Sequence, residues 1–286
     1  MNNIFIIYVN YNSAEEIFSA IERVNKQKSN LVSCKVIVVD NSGELASHNY
    51  FDYMSNVVLI KSGTNLGYCG GNNLAYSYIL DRHLEGDVLV CNPDTTFDIK
   101  QLEIINKTVN HWGLYTLPAY NQKGKVLYTK VKLSGFNQQI FKNRHSDVFV
   151  DTDYCPGSFL YFRRSKFENI PELFDERFFM YWEEVDLSLT IRKKGGMCCF
   201  INNAGHILRK DNKKGWLNNA VYYYFRNSFL IRHKHKDIFS CINIFKFFSK
   251  SILVFTIKSA AQCNLQIIKM MCYGICDGLR NKFGKK

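Results

Sequence analysis

The first 110 residues alternate short apolar runs with segments of helical periodicity. Strands that are buried on both faces, as in a parallel sheet, carry nearly continuous apolar runs. The runs are Ile4–Val9, Cys34–Val39, Val57–Ile60 and Val88–Val90. After the first run, Ser13 can cap a helix together with Glu16, three residues further on. The alternation predicts a doubly wound parallel sheet with helices on its faces.

The chain after residue 110 has a different pattern. Lys125–Tyr128 and Phe159–Phe162 are short strand candidates, and Cys155–Ser158 has the composition of a turn. We expect antiparallel strands here that complete the sheet. A chain of 286 residues with 47% hydrophobic residues is long enough for one large or two small folded domains. We divide it into a domain of residues 1–215, with halves 1–110 and 111–215, and a C-terminal region of residues 216–286.

Polar residues follow the predicted strands at the points where these end. They are Asn10, Asn12, Asp40, Asn41, Asn92, Asp94 and the glycine-rich segment Asn65–Asn73. In open α/β sheets, ligands bind at the carboxyl ends of the strands. The glycine-rich segment lacks the Gly-Lys-Ser/Thr of a Walker loop, but it can bring backbone amides close to a phosphate or ribose. The alternative is that these residues are solvated loops. Their common placement favours a ligand site.

Three carboxylates, Glu183, Glu184 and Asp186, fall within four residues beside a dense aromatic run. Crowded, desolvated carboxylates repel each other, which raises their proton affinity and suits one of them to general-base catalysis. The alternative is an acidic first turn of a helix, which the helix dipole favours. Asp94 stands apart from this cluster, at the end of a buried strand. The two signals together are typical of a metal-diphosphate site with a separate base.

The positive charge of the chain is concentrated near its C-terminal end. Residues 206–286 hold 16 Lys and Arg against 3 Asp and Glu, whereas residues 1–205 hold 21 against 22. Such a segment suits either nucleic acid or an anionic membrane surface. The neutral first 205 residues argue against a nucleic-acid platform in the main domain.

The segment Ile238–Ile257 is apolar but is interrupted by charges. Asn243, Lys246 and Lys250 fall at helical spacing and form a narrow polar stripe on a broad apolar surface. A transmembrane helix needs about 20 predominantly apolar residues, which this segment does not supply. The pattern favours a helix lying in the membrane interface, and a core helix is the alternative.

The ten cysteines indicate a reducing compartment. None form a Cys-x-x-Cys pair, and their spacing does not suit a zinc site. Met1–Asn3 leads directly into the first strand without the apolar region of a signal peptide. We expect a cytoplasmic protein.

Several short motifs occur in an order that resembles glycosyltransferase family 2, with its GT-A fold, and its rhamnosyltransferase-like branch. They are Tyr8–Asn12, Val39–Ser42, Asn65–Asn73, Asn92–Asp94, Tyr181–Leu187 with Arg192, Tyr224–Asn227 and Asp277–Leu279. The resemblance covers nearly the whole chain. It implies a Rossmann-like mixed sheet flanked by helices, followed by a basic, amphipathic helical C-terminal region.

The resemblance assigns a nucleotide-sugar site to the strand ends. Asn10 and Asn12 line the base pocket, and Asp40 accepts a hydrogen bond from the ring N–H of uracil or thymine. Asn65 and Asn73 lie near ribose and diphosphate. Other residues of this predicted site are Asn41, Gly67, Gly71 and Asn92.

The same resemblance implies a divalent metal, Mg²⁺ or Mn²⁺. Asn92–Asp94 occupies the place of the family's Asp-x-Asp motif, so that Asp94 is its strong oxygen ligand. His206 reaches the metal or diphosphate by resemblance, and a structural histidine is the alternative. The metal neutralises the charge that develops on the departing nucleoside diphosphate.

The family's base corresponds to Glu184, with Glu183 beside it and Asp186 as the alternative. The base removes the proton of the acceptor hydroxyl as this attacks the anomeric carbon, and one displacement inverts the configuration. Trp182 either stacks on the acceptor sugar or packs in the core.

The expected activity is an inverting, metal-dependent transfer of a sugar in cell-surface polysaccharide synthesis. The expected donor is dTDP-rhamnose, with a UDP-hexose as the alternative, and the expected acceptor is a lipid-linked saccharide at the inner face of the cell membrane. The sequence does not predict an oligomeric state. A nucleotidyltransferase would need a basic glycine-rich loop, which Ile4–Ser13 lacks. A non-catalytic membrane- or RNA-binding module would leave the three carboxylates without a role.

Overall fold

The computed structural model of the chain describes residues 1–47, 51, 54–167, 170–210, 218–261 and 264–286. The proposed boundary between residues 215 and 216 lies outside the described residues. Seven α-helices occur in these ranges. They are α1 (Ala14–Lys26), α2 (Gly67–Asp81), α3 (Ile99–Thr108), α4 (Glu183–Lys193), α5 (Asn218–Lys234), α6 (Cys241–Ala261) and α7 (Gln266–Leu279).

The described residues also form fourteen strands. They are β1 (Asn2–Asn10), β2 (Val32–Asp40), β3 (Val57–Lys61), β4 (Asp87–Cys91), β5 (Thr95–Thr96), β6 (Gly113–Thr116), β7 (Ala119–Asn121), β8 (Val126–Tyr128), β9 (Lys130–Ser134), β10 (Asn137–Phe141), β11 (Phe149–Asp151), β12 (Phe159–Phe162), β13 (Met197–Ile201) and β14 (Ile207–Arg209).

The main sheet has eight strands in the order β11-β13-β6-β12-β4-β1-β2-β3. Strand β1 pairs in parallel with both β2 and β4, and β2 pairs in parallel with β3. The four predicted parallel strands are therefore confirmed. Their apolar side chains form the centre of the core, with Ile4, Ile6, Val36 and Val88 fully buried. Helix α1 packs against this layer, with Ile17, Ala20, Ile21 and Val24 buried.

Strand β12 lies antiparallel between β4 and β6, so the sheet is mixed, as expected for the second half of the domain. The predicted strands near residues 125–128 and 159–162 correspond to β8 and β12. Two small sheets flank the main one. The first contains β5, β14, β7 and β8, and the second is the hairpin of β9 and β10.

Two local predictions need correction. Ser13 precedes α1 but makes no capping hydrogen bond, because its hydroxyl donates instead to Asn10 Oδ1 at 3.0 Å. Most of the glycine-rich segment is not a loop, because α2 begins at Gly67. A Cβ at Gly71 would lie 2.8 Å from a methyl group of Val9, so the glycine lets this helix pack tightly on β1.

The C-terminal helices pack on the main domain and on each other. Gly274 and Gly278 of α7 lie against α5, where a Cβ would collide with the Tyr222 carbonyl and the Phe229 ring, respectively. In the described part of the chain, no helix combines the length and apolar character needed to cross a bilayer.

Candidate active site

A cavity of about 690 Å³ lies at the carboxyl ends of β1 and β4, beside the start of α2. This is the edge of the sheet where ligands bind in open α/β folds. We call it the first cavity. Its lining residues are Val9, Tyr11, Asn41, Asn65, Gly67, Tyr68, Cys91, Asn92, Pro93, Phe179, Met180, Tyr181, Asn219, Ala220, Tyr223, Lys285 and Lys286.

A second cavity, of about 490 Å³, adjoins the first. Four residues line both: Tyr68, Asn92, Met180 and Tyr181. Of these two cavities, Glu183 and Glu184 line the second and not the first. Two ligands, one in each cavity, would therefore meet beside a pair of carboxylates.

The two glutamates begin helix α4, so the acidic first turn weighed for this cluster is present, and the role of a base stays a prediction. Glu183 is buried and Glu184 is half-buried. Burial raises the pKa of both carboxyl groups, and the proximity of Glu184 raises the pKa of Glu183 further. One oxygen of each side chain has no hydrogen-bond partner among the described residues. A cavity-facing carboxylate with raised proton affinity and a free oxygen can accept a proton from a bound hydroxyl.

Asp186 is placed differently from the two glutamates. Its Oδ2 lies 2.6 Å from Lys234 Nζ, and its Oδ1 lies 2.7 Å from His235 Nε2. Both oxygens are thus engaged with the end of α5, and Asp186 lines neither cavity. This geometry favours Glu184 over Asp186 as the base.

The segment before α4 is held in an unusual conformation. Phe179, Tyr181 and Trp182 all have left-handed φ values, of 63°, 69° and 75°. Such values are uncommon outside glycine and cost about 1 kcal/mol or more each. The segment therefore needs support from its surroundings.

Arg226 and Asn227 of α5 supply that support. Arg226 Nη2 donates to the carbonyls of Arg177 and Phe178 at 2.8 and 2.9 Å. Asn227 Nδ2 donates to the carbonyls of Phe178, Met180 and Tyr181 at 2.8, 2.8 and 3.0 Å. We call these two side chains the carbonyl clamp. It fixes a wall shared by both cavities and the start of the helix that carries Glu184.

Four of the predicted nucleotide-sugar residues line the first cavity. They are Asn41, Asn65, Gly67 and Asn92. Asn65 Oδ1 accepts from the backbone N–H of Gly67 at 2.9 Å, and Asn41 Nδ2 donates to the Gly67 carbonyl at 2.8 Å. Gly67 has a φ of +72°, and a Cβ there would collide with Phe179. Asn41 Oδ1 is buried without a partner among the described residues and remains available to a ligand.

The remaining five do not line this cavity. Asn10 Nδ2 donates to Asp40 Oδ1 at 3.0 Å, and Asp40 Oδ2 accepts from the Leu45 N–H at 2.8 Å. Burial alone would raise the pKa of Asp40, but its hydrogen bonds outweigh this and lower the pKa. Asn12 is exposed, and Gly71 packs on Val9.

Asn73, the last of the five, binds Phe174, which lies shortly before the backbone carbonyls that the carbonyl clamp holds. Its Nδ2 donates to the Phe174 carbonyl, and its Oδ1 accepts from the Phe174 N–H. The side chains of Asn10, Asp40 and Asn73 thus fasten the edge of the site in the structure. A direct contact of Asp40 with a base stays a prediction.

Asp94 satisfies one test of a metal ligand. Its Oδ1 is buried and has no hydrogen-bond partner among the described residues. Mg²⁺ commonly binds one or two carboxylates and takes its other ligands from water and substrate phosphates. Within the described ranges, no group of three or more His, Cys, Asp or Glu side chains could hold a metal by itself. A metal here would therefore depend on ligands from the substrate.

The structure does not bring His206 to Asp94. The backbone N–H of Lys210 donates to the Asp94 carbonyl, whereas His206 lies four residues earlier, at the opposite end of β14. Its ring packs on Tyr120 with the centroids 4.1 Å apart, in a separate cavity of about 250 Å³. The arrangement matches the structural alternative for His206.

Trp182 is also placed as its structural alternative predicts. Its side chain is only 3% exposed and stacks on Tyr224 with ring centroids 5.5 Å apart. Its Nε1 donates to the Tyr224 carbonyl at 3.2 Å. The neighbouring Tyr181 lines both cavities and is the aromatic residue better placed for a substrate.

Sequence reasoning missed several lining residues. Tyr68 and Tyr181 lie between the cavities, Arg209 lines the second, and Tyr223 with Lys286 closes the first. The motif Tyr224–Asn227 indicated that this part of the chain belongs to the site. The contacts of Arg226 and Asn227 with the segment before α4 could not be predicted, because they depend on the tertiary fold.

Comparisons with known proteins identify the class. The chain is 28% identical over 302 residues to the low-salt glycan biosynthesis hexosyltransferase Agl10 of Haloferax volcanii, covering 100% of this chain and 94% of that protein. It is 25% identical over 246 residues to the rhamnosyltransferase WbbL of Escherichia coli K12, covering 79% and 91%, respectively. No protein-family model matches the chain.

A solved structure shows the same fold. It is the mannosyltransferase PcManGT from Pyrobaculum calidifontis in complex with GDP-Man and Mn²⁺, with a TM-score of 0.57 and 12% identity. The match covers 98% of this chain and 87% of that one. The chain therefore has the GT-A fold. With its two relatives, this makes it a glycosyltransferase.

Proposed function

We propose that the protein is an inverting glycosyltransferase that binds a nucleotide sugar in the first cavity and a saccharide acceptor in the second. One observation carries the proposal. The two cavities share Tyr68, Asn92, Met180 and Tyr181, and Glu184 lines the second cavity. A donor and an acceptor bound there would meet beside a carboxylate.

The chemical step follows from this placement. Glu184 takes the proton of an acceptor hydroxyl while the hydroxyl oxygen forms a bond to the anomeric carbon. The bond from that carbon to the diphosphate oxygen breaks, and the nucleoside diphosphate leaves with the electron pair. Attack from the face opposite the leaving group inverts the configuration. Burial suits Glu184 to this task because it raises the pKa of its carboxyl group.

We propose Asp94 as the protein ligand of a divalent cation, Mg²⁺ or Mn²⁺, held jointly with the donor diphosphate. Its unpartnered Oδ1 supports this, as does the Mn²⁺ in the mannosyltransferase structure. The bound metal would neutralise charge on the leaving group. Arg209 lines the second cavity beside Asn92 and offers a further positive charge. His206 is left out of this metal site.

The donor we propose is dTDP-rhamnose, used in cell-surface polysaccharide synthesis. The name of the Escherichia coli relative, a rhamnosyltransferase, supports it. A UDP-hexose is the alternative, because the Haloferax relative is named a hexosyltransferase. The proposed acceptor is a saccharide carried on a lipid.

We further propose that the C-terminal region holds the protein at the inner face of the cell membrane. Four exposed apolar residues of α6 support this: Ile242, Phe245, Leu253 and Ile257 are 67%, 73%, 63% and 60% exposed. The proposed division at residue 215 is a division of role only, since Asn219, Ala220 and Tyr223 also line the first cavity.

Thermal shift and donor hydrolysis across a panel of nucleotide sugars, with Mn²⁺ or with EDTA, test the proposal. We expect a metal-dependent rise in Tm and slow hydrolysis with dTDP-rhamnose or with one UDP-sugar. If no nucleotide sugar raises Tm or is hydrolysed, the catalytic proposal is wrong and the binding-module alternative replaces it.

A further inference from the structure

Another cavity, of about 570 Å³, lies between the β9–β10 hairpin and helix α6. We call it the α6 groove. Its lining residues are Ser134, Phe136, Asn137, Gln138, Tyr224, Asn243, Lys246, Phe247, Lys250, Ser251, Val254 and Phe255. It combines apolar walls with a polar strip, and neither the nucleotide sugar nor the acceptor hydroxyl accounts for it.

The polar strip carries positive charge. Asn243, Lys246 and Lys250, the stripe recognised in the sequence, all line this one groove. Among the residues that the structure describes, the groove lining contains two Lys and no Asp or Glu. Neither ammonium group has an ion-pair partner in the part of the chain that the structure describes. The groove is therefore complementary to an anion, and phosphate oxygens are suitable acceptors for the lysines.

The groove continues into the region of the proposed base. Gln138 lines both the groove and the second cavity. Tyr224 lines the groove and a smaller cavity of about 240 Å³ that also touches Glu184. Tyr154 lines that smaller cavity and donates its hydroxyl to Gln138 Oε1 at 3.1 Å. A ligand in the groove can thus extend toward Glu184.

The other side of the two lysines is apolar and exposed. At 100° per residue, Lys246 and Lys250 lie on the helix between the rest of the groove lining and the face that carries Phe245 and Leu253, and Ile257 shares the side of the lysines about two turns beyond Lys250. A ligand that is anionic in the middle, polar at one end and apolar at the other would match all three surfaces in order.

We propose that the α6 groove binds the phosphate-bearing linker of a lipid-linked saccharide acceptor. Lys246 and Lys250 hold the phosphate groups, the sugar extends past Gln138 toward Glu184, and the lipid leaves along the apolar face of α6. The proposal rests on the proposed function for the direction of the sugar. The binding of an isoprenoid diphosphate to the groove can be tested without any sugar transfer.

The test uses farnesyl diphosphate as the probe, with farnesol as the version without phosphate. The Lys246→Gln/Lys250→Gln double variant removes both charges from the groove. The matched control is Lys236→Gln/Lys282→Gln, which removes the same charge from two exposed positions of the C-terminal region outside the lining of the groove. Titration calorimetry gives the Kd, and far-UV circular dichroism verifies folding.

We expect the groove variant to raise the Kd for farnesyl diphosphate by about tenfold or more, the effect of losing charge-assisted hydrogen bonds. The control variant should bind like the wild type, and farnesol should bind weakly to all three proteins. If the two variants lose the same affinity for farnesyl diphosphate, the loss comes from the change in net charge and the proposal is wrong. Equal binding of farnesol and farnesyl diphosphate would also overturn it.

Vesicles containing phosphatidylglycerol separate the lipid linker from bulk anionic lipid. If the groove variant loses vesicle binding but keeps its affinity for farnesyl diphosphate, the lysines contact membrane headgroups and the proposal is wrong. Thermal shift with dTDP and UDP in Mn²⁺ is measured on the same proteins. The wild type could bind farnesyl diphosphate through the groove and yet neither bind nor hydrolyse any nucleotide sugar. In that case the proposed function would be wrong, and the proposal of a binding site in the groove would still hold.

Discussion

Replacing Asn227 with Ala should release the strained segment in front of α4. The side chain has two N–H hydrogens shared among three carbonyl acceptors, and its Oδ1 accepts from Arg226 Nε and Nη2 at 2.9 and 2.7 Å. That amounts to about four hydrogen bonds at about 1 kcal/mol each. Relaxation of the three left-handed residues, at about 1 kcal/mol each, returns about 1–3 kcal/mol, depending on how many of them relax. We expect the free energy of unfolding to decrease by about 1–3 kcal/mol.

The loss of activity should exceed what lower stability explains. The freed segment carries Tyr181 and leads into Glu184, and a misplacement of about 1 Å can lower turnover by about 100-fold. Urea unfolding measures the stability, and hydrogen exchange measures the protection of amides 178–182. Turnover is measured as donor hydrolysis well below the Tm of every variant.

Asn106 provides the matched control. It is buried, donates to Asp87 Oδ2 at 2.8 Å and to the Tyr161 hydroxyl at 3.3 Å, and accepts from Asn2 at 2.8 Å. These contacts lie at the amino ends of β1 and β4, away from the cavities. Asn106→Ala should therefore lower stability by about 2–3 kcal/mol with normal exchange in residues 178–182 and normal turnover.

Asn227→Asp covers the case in which the alanine variant does not fold. It retains the size of the side chain and its contact with Arg226 but cannot donate to the carbonyls. Loop exchange should still increase, and turnover should still fall. If exchange and turnover in both Asn227 variants match those of Asn106→Ala, the carbonyl clamp does not position the segment, and the reasoning is refuted.

Three further predictions concern the carboxylates. Glu184→Gln should lower turnover by about 100-fold or more without loss of stability, whereas Asp186→Asn should cost about 3 kcal/mol of stability because it disrupts a buried ion pair. Asp94→Ala should remove the stimulation of donor hydrolysis by Mn²⁺ and leave the fold intact. Because the pKa of Glu183 is raised above its ordinary 4.5, the folded protein binds more protons than the unfolded chain above pH 4.5. Its free energy of unfolding should therefore decrease as the pH rises toward the folded pKa, and Glu183→Gln should remove that slope.

Each of these has an outcome that contradicts it. If Glu184→Gln has normal turnover and Asp186→Asn loses most of its turnover without losing stability, Asp186 is the base. Retained Mn²⁺ stimulation in Asp94→Ala would remove that carboxylate from the metal proposal. Urea titrations from pH 5 to 8 that give parallel curves for the wild type and Glu183→Gln would contradict the raised pKa.

The resemblance could be recognised from short motifs because several of these residues perform local tasks. Asn65 turns the chain ahead of Gly67, and Gly71 allows α2 to approach β1, so both are visible in the sequence as unusual residue choices. The contacts of Asn10 and Asp40 could not be predicted from the sequence. Both were expected to contact a nucleotide base, but in the structure they bind each other across neighbouring strand ends.

The placement of His206 and Trp182 could not be decided from sequence spacing. The resemblance assigned His206 to the metal or diphosphate, but in the register of β14 against β5 it is Lys210, four residues further on, that contacts Asp94. Trp182 adjoins the base in sequence, yet its left-handed backbone turns the indole into an aromatic cluster with Tyr224 and Phe136.

The sequence by itself determined the alternation of strands and helices, the edge of the sheet where the first cavity lies and the concentration of charge at the C-terminal end. These follow from periodicity and composition, which are local properties of the chain. Only the tertiary structure decided that Glu183 and Glu184 face a cavity whereas Asp186 pairs with Lys234 and His235, and that Arg226 and Asn227 of α5 hold the segment before α4. The reason is that a side chain becomes a base, an ion-pair partner or a clamp according to the groups that long-range packing brings within about 3 Å of it.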